Sequence, residues 1–170
     1  NANMVSWAAD GQIYFTALQR TAGHLFRVDP RTGRIGRVSG PDALMAGGFS
    51  LSRDARQVAF VAASPASMGE VFVSAAEPFA PTAMTRMTDQ VKDWRLGTRE
   101  VISWTSRDGS EIEGVLIKPA DFDPSKKYPL LLQIHGGPTG IDRPVLPDVR
   151  YYPTDIWVGR GALVLKVNYR

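Results

Sequence analysis

Cysteine is absent from the 170 residues, which excludes a disulfide framework, a thiolate nucleophile and any zinc site built on sulfur. Histidine is almost absent: His24 and His135 are the two present, so a histidine-rich metal centre cannot be assembled, and neither can a sensible Ser-His-Asp triad. No cofactor or metal is expected. Apolar runs stay far short of the roughly 20 residues a membrane-spanning helix needs. The opening NANMVSWAADG has no charged-then-apolar export pattern. The expectation is a chain without membrane contact, placed in the cytoplasm or, if an export signal was removed, in the periplasm. Charge of one sign is not concentrated either. Twenty Lys and Arg against seventeen Asp and Glu give +3, scattered without a basic run or interleaved aromatics, so no nucleic-acid partner is expected.

What is present is ordinary globular material rich in turns: 44% hydrophobic and 9% aromatic residues with 16 Gly and 12 Pro, a balance that favours many short strands over long helices. The first half repeats itself loosely. SWAADGQIYFTA (6–17) is echoed by SLSRDARQVAFVAA (50–63), with Asp10 and Asp54 in corresponding turns and Phe15 and Phe60 near the same strand position. GHLFRVD (23–29) is echoed by GEVFVSA (69–75), and RIGRVS by AMTRMT; His24 falls in this predicted blade strand and is expected at the surface or in a turn. A spacing of about 44 to 49 residues matches a unit of four short strands, the period of a β-propeller blade. The alternative is two unrelated β-meanders with similar turns. Blades cannot bury both faces alone, so two of them imply neighbours that complete a ring.

Near Asp89 to Gly97 the rhythm changes. REVISWTSRDGSEIEGVLIKP (99–119) reads as a hairpin turning at Asp108-Gly109, where both residues tolerate positive φ. Pro119 to Lys127 is a polar loop in which Asp121 and Asp123 are solvated turn formers. YPLLLQI (128–134) is nearly all apolar and predicts a central strand covered on both faces. TDIWVGR (154–160) predicts a short helix burying Ile156 and Trp157, with Arg160 in its last turn and Gly161 as its stop. ALVLKVNY (162–169) predicts a second buried strand. Strand, helix, strand with short connections is a βαβ crossover, so this half belongs to an α/β sheet.

The chemistry concentrates at His135-Gly136-Gly137-Pro138. Ligands of open α/β sheets sit beyond the carboxyl ends of strands, and this tip lies at such an end. Acyl transfer needs N–H donors about 3 Å from the oxygen that becomes negative in the tetrahedral intermediate. Without a Cβ, Gly136 and Gly137 can bring their backbones up to a substrate carbonyl, while Pro138 stiffens the turn. The plain alternative is that Gly-Gly-Pro simply turns the chain out of a strand. His135 precedes the turn, which favours an orienting role over proton transfer. Gly48-Phe49-Ser50-Leu51-Ser52 approaches a nucleophile elbow but lacks the final glycine and starts a blade, so it is repeat sequence.

KYPLLLQIHGGPTG followed by YYPTDIWVGRGALVLKVNYR resembles the start of the catalytic domain of the prolyl oligopeptidase family of serine peptidases, in the branch of acylaminoacyl peptidases and dipeptidyl aminopeptidases. The order of propeller, TSRDGSEIEGVLIKP hairpin, HGGP strand, helix ending in an R-G step and strand ending N-Y-R covers the whole chain. The resemblance implies propeller blades over residues 1–92 and the start of an α/β-hydrolase domain over 93–170. It implies a role for Gly136 and Gly137 in the oxyanion hole, and a donor role for His135, where relatives carrying tyrosine use its hydroxyl. It implies a peptidase acting on short peptides of aminopeptidase, dipeptidyl or acylaminoacyl type, its Ser-His-Asp triad lying beyond this chain, so that these residues by themselves are inactive. The alternatives are an esterase of the same fold and a non-catalytic propeller interaction module. Tyr151, Tyr152 and Trp157 either line a substrate pocket or pack the short helix, and Arg170 invites a pairing role near the active edge. Unpaired edges and uncovered apolar faces predict self-association.

Overall fold

The computed structural model describes residues 2–40, 44–137, 140–146 and 152–169. Two compact units divide the chain, Asn1–Asp89 and Gln90–Arg170.

The first unit holds two antiparallel four-stranded meanders. β1 (Ala2–Trp7), β2 (Ile13–Gln19), β3 (Ala22–Val28) and β4 (Ile35–Arg37) pair in chain order, and so do β5 (Met45–Leu51), β6 (Gln57–Ser64), β7 (Ser67–Ala75) and β8 (Thr82–Ala83). The meanders repeat at the level of single contacts. Asp10 Oδ1 accepts the Gln12 N–H at 2.9 Å, and Asp54 Oδ1 accepts the Arg56 N–H at 3.2 Å. Gly11 and Ala55 take the left-handed position of the two turns, at φ +78° and +56°. Phe15 lies opposite Phe26 with ring centroids 5.4 Å apart, and Phe60 lies opposite Phe72 at 5.5 Å. Stacked cross-strand aromatic pairs of this kind pin the register of each sheet.

The repeat extends past the fourth strand. The Leu25 N–H donates to Ser39 Oγ at 2.9 Å and the Val71 N–H to Thr85 Oγ1 at 3.0 Å. The residue before each of these amides meets the same hydroxyl: His24 Nδ1 lies 3.4 Å from Ser39 Oγ, and Glu70 Oε2 accepts the Thr85 hydroxyl at 2.5 Å. The sequence echo paired Ser39 with Thr88; the backbone pairs it with Thr85. His24 lies in a strand as expected, but not at its surface or in a turn: it is 2% exposed in β3, where Ser39 is one of its polar neighbours. One core joins the two meanders, drawing Tyr14 and Leu25 from the first and Ala46, Phe49, Val58, Phe60 and Ala62 from the second. Apolar side chains buried this fully contribute roughly 1.5–3 kcal/mol each for the larger ones.

The second unit is one mixed sheet in the order β11-β12-β10-β9, built from β9 (Thr98–Thr105), β10 (Glu111–Lys118), β11 (Leu130–Ile134) and β12 (Leu163–Asn168). β9 and β10 form the expected hairpin, but its turn differs. Only Gly109 has positive φ, +83°, while Asp108 caps the turn by accepting the Ser110 N–H at 3.1 Å. β11 and β12 run parallel, joined through α1 (Thr154–Gly159). On this short helix Thr154 and Val158, four apart, face the sheet and are fully buried, and Val158 packs with Val115, Ile117 and Val164. Ile156, expected to be buried, is 57% exposed; at two residues from each of those positions it points the opposite way. Trp157 packs at the edge of that core. The helix ends in a Schellman motif: Gly161, at φ +90°, donates to the Val158 carbonyl and Ala162 to the Trp157 carbonyl.

The composition of β11 predicts a central strand covered on both faces; within the described residues it pairs with β12, and Leu130, Leu132 and Ile134 are each more than half exposed, an apolar face with no cover from these residues. The buried face of the sheet lies over β10 and β12, where α1 packs. That face also carries charge: Arg99, with a side chain 1% exposed, is paired with Asp155, and Lys166 lies 3.7 Å from Asp142. Among the described residues no helix is long and apolar enough to cross a membrane.

Candidate functional site

Parallel pairing brings the ends of β11 and β12 side by side. Ile134 is opposite Val167, so His135-Gly136-Gly137 leaves the sheet next to Asn168-Tyr169. The two tips are locked together. The His135 imidazole stacks on the Tyr169 ring at 4.5 Å and 20°. The Tyr169 hydroxyl donates to the His135 carbonyl at 2.7 Å and lies 3.4 Å from the Gly137 carbonyl. His135 Nδ1 faces the Gly136 carbonyl at 3.4 Å, and its buried Nε2 has no hydrogen-bond partner among the described residues. The imidazole thus lies against the turn through its ring face and Nδ1.

The turn needs its glycines for different reasons. Gly137 sits at φ +76°, a region that costs other residues roughly 1–2 kcal/mol. Gly140 is demanded by space, since a Cβ there would come within 2.8 Å of both the Gly136 carbonyl oxygen and His135 Nδ1. Gly136 and Gly137 are both exposed, and neither amide donates a hydrogen bond within the described residues. Among the described residues these two N–H groups thus stand without an acceptor at the carboxyl end of a strand, on a turn whose carbonyls are approached by Tyr169 and His135. Pro138 lies outside the described residues, as do Tyr151 and Arg170.

The far side of the turn is tied down from β12. The Asp142 N–H donates to Asn168 Oδ1 at 2.7 Å and Asn168 Nδ2 donates to the Asp142 carbonyl at 3.0 Å, a two-point clasp on the returning chain. Below it, burial holds the Lys166 ammonium under the usual lysine range, an effect the Asp142 carboxylate opposes. Beside the turn, Leu132, Ile134, Val167 and Tyr169 line an open, wholly apolar hollow of about 300 Å³. Asp123 accepts the Ser125 N–H and hydroxyl as a turn former, and Asp121 pairs with Arg95 on the surface; neither reaches the site residues. Tyr152 is 46% exposed, with its ring 6.0 Å from that of Trp157.

The contact of His24 with Ser39 has the composition of a nucleophile and base, but it recurs in the next meander as Glu70 with Thr85. It is a repeat contact holding the outer strand, and its hydroxyl is already engaged by a backbone amide. Sequence reasoning singled out His135, Gly136 and Gly137 but not Tyr169, Asn168 and Gly140, which the structure brings against the same turn. The signal available for the first two was their position, directly after a strand that pairs in parallel with the HGG strand.

No family model matches the chain. Dipeptidyl aminopeptidase A of Saccharomyces cerevisiae is 38% identical over 53 residues, 31% of this chain and 6% of that protein. Among solved structures, puromycin hydrolase superposes with a TM-score of 0.70 at 26% identity over 95% of this chain and 24% of its own. The acylaminoacyl peptidase of Pyrococcus horikoshii gives 0.71 at 20% identity, again over 95% of this chain and 24% of its own. These relatives are peptidases of the prolyl oligopeptidase family. The chain spans about a quarter of the length of these solved relatives. Two sheet-rich meanders with little helix are consistent with propeller-like blades.

Proposed function

We propose that these residues are part of a serine peptidase of the prolyl oligopeptidase family, with propeller blades over 1–92 and the opening of an α/β-hydrolase domain over 93–170. The observation that carries the reading is the pair of Gly136 and Gly137 amides, neither donating within the described residues, at the carboxyl end of β11 beside an apolar hollow. In an α/β-hydrolase one oxyanion donor comes from the loop after such a strand and the other from the residue following the nucleophile. The serine hydroxyl attacks the peptide carbonyl, a histidine takes its proton, and the amides of the glycine turn stabilise the oxygen that becomes negative. The nucleophile, base and acid come from outside these residues. His135 acts by orientation, its ring stacked on Tyr169 and its Nδ1 facing the turn. The substrates are short peptides, in keeping with the dipeptidyl, acylaminoacyl and puromycin-hydrolysing relatives.

Turnover of an aminoacyl-anilide by the intact protein, compared with a simple ester, tests this. Peptidase action predicts the anilide to be cleaved and a serine-directed phosphonate to label the protein. Ester turnover alone favours an esterase, and absence of label favours a non-catalytic propeller module. The exposed Leu130, Leu132 and Ile134 on a strand paired along one side further support self-association of these 170 residues when isolated. Gel filtration giving a monomer that resists dilution would contradict it.

A further inference from the structure

We propose that Tyr169 is a positioning residue for the oxyanion site, locking the peptide planes whose amides face the substrate. This rests on the peptidase reading above. In a trans peptide the carbonyl and the N–H lie in one plane and point in opposite directions across the C–N bond, and the His135–Gly136 bond is trans. The Tyr169 side chain is fixed at two points: its ring is stacked on the His135 imidazole at 4.5 Å, and its hydroxyl donates to the His135 carbonyl at 2.7 Å. Holding that carbonyl directs the Gly136 N–H to the other side. The Gly136–Gly137 plane is held in the same sense by the approach of the Gly136 carbonyl to His135 Nδ1, so the imidazole that Tyr169 steadies orients the Gly137 N–H in turn.

Such a lock is needed because glycine peptides rotate easily. Without it, an unengaged Gly-Gly turn exchanges its carbonyls and amides and presents an oxygen where a donor is required. Tyr169 is placed to prevent this by the sheet, since it follows β12 directly and the β11–β12 register fixes its height. Asn168, the preceding residue, clasps Asp142 on the other side of the turn. Consecutive side chains thus secure both ends of one loop.

The test is Tyr169→Phe in the intact enzyme, with Tyr128→Phe as the control, because the Tyr128 hydroxyl accepts the Asp123 N–H in the loop before β11. Misplacing an oxyanion donor costs on the order of 10- to 100-fold in rate. Tyr169→Phe is therefore expected to lower kcat by about that factor with KM and the thermal midpoint little changed, and to weaken a peptidyl boronate, which mimics the tetrahedral intermediate, in parallel with kcat/KM. A folded variant with the kcat and boronate affinity of the wild type overturns the lock. Wild-type enzyme that neither cleaves the anilide nor takes the phosphonate label overturns the peptidase reading itself, which is a separate result. If the variant fails to fold, the ¹³C resonance of the His135 carbonyl in the wild-type enzyme decides: a hydrogen-bonded carbonyl supports the lock and a solvated one overturns it.

Discussion

Gly140→Ala is the sharpest perturbation of the turn, because it acts through space alone. The added Cβ would lie 2.8 Å from the Gly136 oxygen and 2.8 Å from His135 Nδ1. Ordinary contact begins near 3.4 Å, so both neighbours must retreat by about 0.6 Å. One is backbone and the other is a ring already stacked on Tyr169, so neither moves freely. Overpacking of this size costs about 1–3 kcal/mol. A shift of that order in donors that must sit near 3 Å from the oxyanion lowers rate by roughly 10- to 100-fold. Steady-state kinetics of the intact protein on an aminoacyl-anilide, with thermal unfolding in parallel, should show kcat falling by that factor. Gly159→Ala serves as the comparison: no atom lies within 4 Å of the place its new methyl would take, and loss of a helical glycine stabilises by up to about 1 kcal/mol. A Gly140→Ala protein with wild-type kcat and thermal midpoint would refute the crowding that this reasoning depends on.

Glu70 supplies a pH signature. Hydrogen bonds from Thr85, Met87 and Thr88 hold its carboxyl down at about 2, below the unfolded value near 4.3. The folded-state value is depressed, so the stabilisation is fully present above the unfolded value and disappears as pH falls from about 5 towards 2; denaturation midpoints should decline across that window, and Glu70→Gln should flatten the decline. Asp155→Asn leaves the buried Arg99 guanidinium without its charge partner, which is expected to cost about 3–5 kcal/mol by chemical denaturation. Replacing both residues, as Arg99→Met with Asp155→Leu, should restore much of that loss, and a double variant as unstable as the single one would contradict the pairing argument.

Much of the first unit was legible because its signals are local. Asp10 and Asp54 close matching turns through bonds two residues away, and Phe15 and Phe60 mark a register that each sheet repeats. The Ser39 equivalence slipped because the hydroxyl that matters is defined by a neighbouring strand, which no spacing along the chain reveals. His24 was misplaced for the same reason. In the second unit the hairpin, the helix stop at Gly161 and the crossover followed from turn chemistry and hydrophobic runs. The exposure of Leu130, Leu132 and Ile134 within these residues did not, since an apolar run reports that a strand can be covered and says nothing of which segment covers it. Ile156 shows the limit of reading a six-residue helix, where composition cannot say which residue faces the sheet. The glycine turn was visible as a pattern; its clasp by Asn168 and Tyr169 depends on parallel pairing between strands far apart in the chain.

The central claim is that the Gly136 and Gly137 amides face an oxygen that gains charge during acyl cleavage. Selective ¹⁵N labelling of glycine in the intact protein, followed before and after formation of a tetrahedral boronate adduct, addresses it directly. A strong downfield shift of a Gly136 or Gly137 amide proton in the adduct is the predicted result. An adduct that forms while both amide resonances stay where they were would contradict it.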